Sequence, residues 1–112
     1  MAESDSPINV GQPPALSVTV DSDGEEAVVT VRGEIDLETN AQLRTVLAEL
    51  GSENSVSLDL GDVTYIDSTG LRVLLSARDA ARQAGGDLRV SATSSIVSRL
   101  IEITGAGELL SG

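Results

Sequence analysis

Between residues 55 and 83 the apolar residues change their spacing across one short junction. "SVSLDLGDV" alternates apolar and polar positions with the period of a strand, whereas "LRVLLSARDAARQ" repeats them with the period of a helix. Seven residues, "TYIDSTG", separate the two. A strand that feeds directly into a helix cannot form a tight hairpin with its successor. It pairs in parallel with the next strand through a right-handed crossover.

The same change of period recurs on both sides. "AVVTVRGEI" reads as a strand before the helix "ETNAQLRTVLAELG", and "DLRVSA" as a strand before "SSIVSRLIEIT". At the front, "ALSVTV" puts Leu16, Val18 and Val20 on one face, and "DSDGEE" turns the chain into the next strand as a hairpin. The order is strand, strand, helix, strand, helix, strand, helix. This predicts a small α/β domain with a mixed sheet, an N-terminal antiparallel hairpin followed by parallel strands. Residues 1–14 hold Ser, Asp, Gly and all three prolines and are expected to be a flexible lead-in, with residues 15–112 forming one domain.

Helix boundaries carry their own signals. Thr39 with Gln42 three residues later fits a capping box, Leu43, Val46, Leu47 and Leu50 share a face, and Gly51 is a natural stop. In the second helix Leu71, Leu74, Leu75 and Arg78 recur at helical spacing among alanines, until "AGGD". Val97, Leu100, Ile101 and Thr104 do the same in the third, which Gly105 closes. Tyr65 is the one aromatic residue, so the core must be aliphatic; at 112 residues about two-thirds of the unfolded surface can be buried.

Absences prune the chemistry. There is no cysteine, hence no disulfide or thiolate site, and no histidine to serve as base for a hydroxyl nucleophile. All seven basic residues are arginine, which excludes a P-loop lysine and Schiff-base chemistry. A net charge of −11 would repel DNA and anionic lipid, so neither nucleic acid nor membrane is expected as a partner. The acidity serves solubility or meets a partner with a basic face. The first residues lack a basic start and an apolar stretch, so no signal peptide is expected, and the protein is placed in the cytoplasm.

The junction "YIDSTGL" stands where α/β sheets place their sites, beyond the carboxyl end of a strand. Ser68 or Thr69 would begin the second helix; the plain alternative is a serine that only caps it. Gly70 in the first turn costs about 1 kcal/mol against alanine, which points to a close approach by a partner or by neighbouring backbone. An enzyme using carboxylates and Mg²⁺ would have to draw on Asp59, Asp62 and Asp67. Asp59 should face away from Leu58 and Leu60, with Asp62 in the loop, so the three do not converge.

Three segments in order, "VRGEIDLETNAQL", "LDLGDVTYIDSTGLRVLL" and "AGGDLRVSATSSIVSRLIEITG", resemble the STAS domain family, in particular the bacterial anti-anti-sigma factors. The resemblance runs from about Leu16 to Gly107. It implies a partner switch without enzymatic activity. The unmodified protein would capture an anti-sigma factor that is also a serine kinase, freeing sigma. Phosphorylation on Ser68, with Thr69 as the second choice, would release it, and a Ser/Thr phosphatase would reset the cycle. Asp36 of "GEID" and Asp67 match the family's acids, and Gly70 and Arg72 complete the expected partner-binding set. Asp67 would orient the hydroxyl, Asp36 would lie on the kinase-facing rim, and Arg72 would shield the phosphate or touch the partner. Capping, solvation and an ordinary surface arginine are the respective alternatives. No cofactor or metal is implied, because ATP would belong to the partner. Ser95 replaces a proline common in relatives, and "TGAGELLSG" stands where they continue into a last strand and helix, so either lower stability or apolar surface open to a partner is expected there. The competing reading is a STAS scaffold without a phosphorylation cycle.

Overall fold

The computed structural model describes residues 15–22, 25–50 and 55–111. The lead-in, the tip of the first turn and Gly51 fall outside the described residues. Four strands, β1 (Leu16–Ser22), β2 (Glu26–Ile35), β3 (Ser55–Ile66) and β4 (Asp87–Thr93), form one sheet in the order β1-β2-β3-β4. β1 runs antiparallel to β2, and the other pairs are parallel. Helices α1 (Asn40–Leu50) and α2 (Ser68–Gln83) make the two crossovers, and α3 (Ser95–Thr104) and α4 (Glu108–Ser111) follow β4. This is the mixed α/β sheet that the alternating periods demand.

The sheet is two-sided in chemistry. Val29, Leu58 and Val90 lie side by side across β2, β3 and β4, and all three are buried. Leu43 and Leu47 of α1, Leu71 and Leu74 of α2, and Val97 and Ile101 of α3 complete the same core. Each fully buried aliphatic side chain contributes about 1.5–3 kcal/mol relative to exposure. The opposite face, carrying Thr30, Arg32, Ser57, Asp59, Arg89 and Ser91, is polar, and none of these six residues is buried. Val20, on the core side of the edge strand, is 44% exposed because α1 reaches only part of β1.

Three expectations change. β3 does not end near Leu60. It passes two consecutive exposed residues, Gly61 and Asp62, and then returns Val63 and Ile66 to the core. Two register shifts against β2 absorb two extra residues of β3, and bulges of this kind break the period-two pattern by which a strand is recognised. Asp62 therefore sits in the strand, 3.5 Å from Arg32 in an exposed ion pair. Thr104 lies on the exposed side of α3, its hydroxyl donating back to the Leu100 carbonyl at 2.7 Å.

The C-terminal segment is also different. After Gly105, in the left-handed conformation at the end of α3, the chain turns back and forms α4. Ala106 and Leu109 are buried while Ile103 and Leu110 remain exposed, so the end of the chain covers part of the apolar surface there and leaves part open. Glu108 meets the buried Arg78 of α2 at 3.6 Å. Helix α4 is too short to stand alone, and tertiary burial supports it. Leu109→Ala should therefore destabilise the domain by about 2–5 kcal/mol, and Leu110→Ala, at a half-exposed position, by under about 0.5 kcal/mol. Urea denaturation of the two variants measures the contrast.

Candidate functional site

Because β2 and β3 are parallel neighbours, their carboxyl ends deliver two strand-to-helix junctions to one edge of the sheet. Ile35 pairs with Ile66, and the backbone N–H of Asp67 donates to the Ile35 carbonyl at 3.3 Å. Asp36 and Asp67, far apart in sequence, thus follow adjacent strand ends. The two loops meet.

The loop after β2 is tied by its own polar groups. Asp36 Oδ1 accepts the backbone N–H of Glu38 at 2.9 Å and of Thr39 at 3.0 Å. Thr39 Oγ1 accepts the N–H of Asp36 at 3.0 Å and aims its single proton at the Glu34 carbonyl at 2.6 Å, with Asp36 Oδ1 a longer second acceptor at 3.2 Å. Thr39 turns back toward the strand, and the expected capping box with Gln42 is replaced by this arrangement. A carboxylate so close gives the hydroxyl and backbone groups better local partners. Beneath the loop, buried Asn40 donates from Nδ2 to the carbonyls of Asp36 at 2.7 Å and Leu37 at 3.1 Å. Sequence reasoning missed Asn40; asparagine at a helix start is a signal that could have found it.

The α2 junction is built by two residues. Asp67 is extended and caps the helix, its Oδ1 accepting the Gly70 N–H at 2.9 Å. The cap is Asp67 and not Ser68, so the plain reading of the serine as a helix cap does not hold. Gly70 is buried, and a Cβ built there would stand 2.6 Å from the Ile35 carbonyl oxygen and 2.8 Å from Ile35 Cγ2. The close approach inferred from the glycine is made to neighbouring backbone.

Ser68 is left at the first helical position, exposed, with no hydrogen bond to its hydroxyl among the described residues. Its own N–H and that of Thr69 precede the first helical hydrogen bond, so the hydroxyl sits beside unpaired donors at the positive end of a sixteen-residue helix. Thr69 is half-buried at the edge of the cleft between α1 and α2. Arg72 is exposed one turn on, with no ion pair among the described residues. The carboxylates considered for metal binding are engaged separately: Asp59 accepts the Gly61 N–H, Asp62 pairs with Arg32, and Asp67 caps α2. Among the described residues no three acids gather at one point.

Hydrogen bonds hold the Asp36 carboxyl below its ordinary pKa of 3.8, the Thr39 N–H having the largest effect; desolvation opposes them, and the Glu38 N–H and Thr39 hydroxyl add to them. Because the folded value is depressed, the carboxylate's contribution is present above the ordinary value and is lost as pH falls through the folded value. An NMR titration should find Asp36 among the last aspartates to protonate, and Thr39→Ala should move it up. Gly70→Ala should cost about 1–3 kcal/mol by chemical denaturation, despite alanine's better helix propensity, because the Ile35 backbone cannot withdraw from the β2 ladder.

Paired junctions with one exposed hydroxyl and a tied acidic loop, on an aliphatic scaffold, define a small α/β recognition module. The sequence profile described as "Mlab, STAS domain" matches residues 18–111. The anti-sigma-B factor antagonist of Bacillus subtilis is 31% identical over 96 residues, 85% of this chain and 88% of its own length. That of Staphylococcus epidermidis is 34% identical over 84 residues, 73% of this chain and 78% of its own. Among solved structures, an anti-sigma factor antagonist from Mycobacterium paratuberculosis superposes with a TM-score of 0.75 at 26% identity, covering 85% of this chain and 82% of that one. SpoIIAA in its unphosphorylated form shares the fold, with a TM-score of 0.73 at 16% identity, covering 84% and 85%. In its phosphorylated form the TM-score is 0.68. The chain belongs to the STAS domain family, and the relatives named here are antagonists of anti-sigma factors.

Proposed function

We propose that this chain is an anti-sigma factor antagonist that works by partner switching, with no reaction of its own. In its unmodified form it binds an anti-sigma factor that is also a serine kinase, and sigma is freed. Phosphorylation of Ser68 ends the binding, and a Ser/Thr phosphatase restores it. Such a cycle runs in the cytoplasm; among the described residues no helix is long and apolar enough to cross a membrane. The observation that carries the reading is the Ser68 hydroxyl, exposed and unbonded on the first turn of α2, while Asp67 performs the capping in its place. Thr69, half-buried, presents its hydroxyl less readily.

Magnitudes place the switch in the contact. A phosphoserine brings about −1.5 to −2 charges at neutral pH. The helix N-terminus stabilises an anion by about 0.3–2 kcal/mol, and the Asp67 and Asp36 carboxylates oppose it by repulsion. These local effects are small and partly cancel, so the domain stays folded. At a docked interface the same dianion must be buried without a partner, which costs several kcal/mol. About 4 kcal/mol suffices for a thousandfold loss of affinity. Asp36 and its tied loop, on the same edge, then serve as the rim that the kinase meets.

Incubation with the cognate kinase and ATP should place one phosphate on Ser68 by mass spectrometry. Ser68→Ala should bind the anti-sigma factor as the wild type does, and Ser68→Asp more weakly by about 10-fold or more in calorimetry. An unmodified Ser68, or equal affinities for the two variants, would leave a scaffold without a phosphorylation cycle as the better description.

A further inference from the structure

A cleft of about 760 Å³ runs between α1 and α2, starting at Thr69 and passing Arg72 toward Ala84. Its apolar lining comes from Leu37, Leu47, Val73 and the alanines at 77 and 80. Leu37 stands at its mouth 74% exposed. Among the described residues two charged side chains line the cleft, Arg44 from α1 and Arg72 from α2, and no acid does.

This charge is out of keeping with the molecule. The chain carries −11, and Arg32, Arg78 and Arg82 are each paired with a carboxylate. Four arginines, Arg44, Arg72, Arg89 and Arg99, have no ion-pair partner among the described residues, and of these Arg44 and Arg72 line the cleft. Two unpaired guanidinium groups flanking an apolar floor match a ligand with an apolar face and acidic margins. Length narrows it further: from Thr69 to Ala84 α2 rises about 22 Å, the length of a helix of about four turns.

We infer that the α1–α2 cleft docks an acidic amphipathic helix of a partner protein, with Leu37, Val73 and Ala77 receiving its apolar face and Arg44 and Arg72 its carboxylates. The unmodified chain docks this helix without any phosphate. One consequence does rest on the Ser68 reading. Ser68 and Arg72 are four apart on α2 and so lie adjacent on the helix surface. A phosphate on Ser68 draws the Arg72 guanidinium toward itself, taking one of the two cations from the cleft.

The test uses the full chain and two fluorescein-labelled amphipathic peptides of about 15 residues, the length that matches the cleft. Both carry the same leucine face; one has glutamate at its polar positions and the other lysine. In fluorescence polarisation the glutamate peptide should bind about 10-fold or more tightly than the lysine peptide, and the double variant Arg44→Ala, Arg72→Ala should lose that preference. Both arginines are exposed, so the double variant keeps the fold, which its circular dichroism checks. Amide NMR shifts on adding the glutamate peptide should centre on Val73, Ala77 and Ala48. Equal binding of the two peptides, shifts centred elsewhere, or shifts at the cleft that arise on concentrating the chain alone (a second copy as the occupant) would overturn the docking. With phosphoserine incorporated at 68, the glutamate peptide should weaken to the affinity seen for Arg72→Ala. Unchanged binding by the phosphorylated chain would overturn the competition for Arg72 alone, and leave both the cleft and the kinase assay on Ser68 to be judged separately.

Discussion

The contact between Gly70 and Ile35 holds the functional edge together. With no Cβ at position 70, the first turn of α2 lies directly on the end of β2, closer than any other residue would permit. The Asp67 N–H reaches the Ile35 carbonyl as part of the same approach, and the Asp67 side chain caps the turn that the glycine brings in. Ser68 is thereby held at the start of the helix on the outside of this contact, and the Asp36 loop, which begins at the next residue after Ile35, shares its edge. Separating the helix from the strand would disperse all of these groups at once.

Around that contact the domain is stiff where it is buried and chemically varied only at its edges. The core is aliphatic and confined to one face of the sheet, so the polar face bears no packing load. The loop after β2 is held by hydrogen bonds from the side chains of Asp36, Thr39 and Asn40, which order a segment that buries little apolar surface. A charge added at Ser68 meets a scaffold that does not need to rearrange. Under the proposed switch, its energetic effect falls on the docked partner.

Much of the architecture was legible because hydrophobic period and topology are local properties. The change from alternation to helical spacing at residues 64–70 specified a parallel crossover, and Gly105 marked the end of α3 as expected. The features that escaped were decided by contacts remote in sequence or too brief to show a period. β3 continued beyond Leu60 because β2 shifts register alongside it. Thr39 abandoned its capping box because its hydroxyl is occupied by the Asp36 N–H and the Glu34 carbonyl at the end of β2. Helix α4 has too few residues for any periodicity, yet burial of Leu109 orders it. The carboxylate of Asp62 was placed in a loop because two exposed residues in succession do not look like a strand.

At the site the division is sharper. Residue order alone established the chemistry available at the junction, the lack of histidine, cysteine and lysine, and the change of period that puts Ser68 at the mouth of a helix. These follow from composition and from the fixed repeats of strand and helix. Packing in three dimensions settled that Asp67 takes the cap and leaves Ser68 unbonded, that Gly70 serves packing, and that Leu37 and Arg44, from another part of the chain, line a cleft with the same helix. The reason is physical: spacing along a chain fixes which way a side chain can face, but which groups meet depends on how parallel strands set their ends side by side.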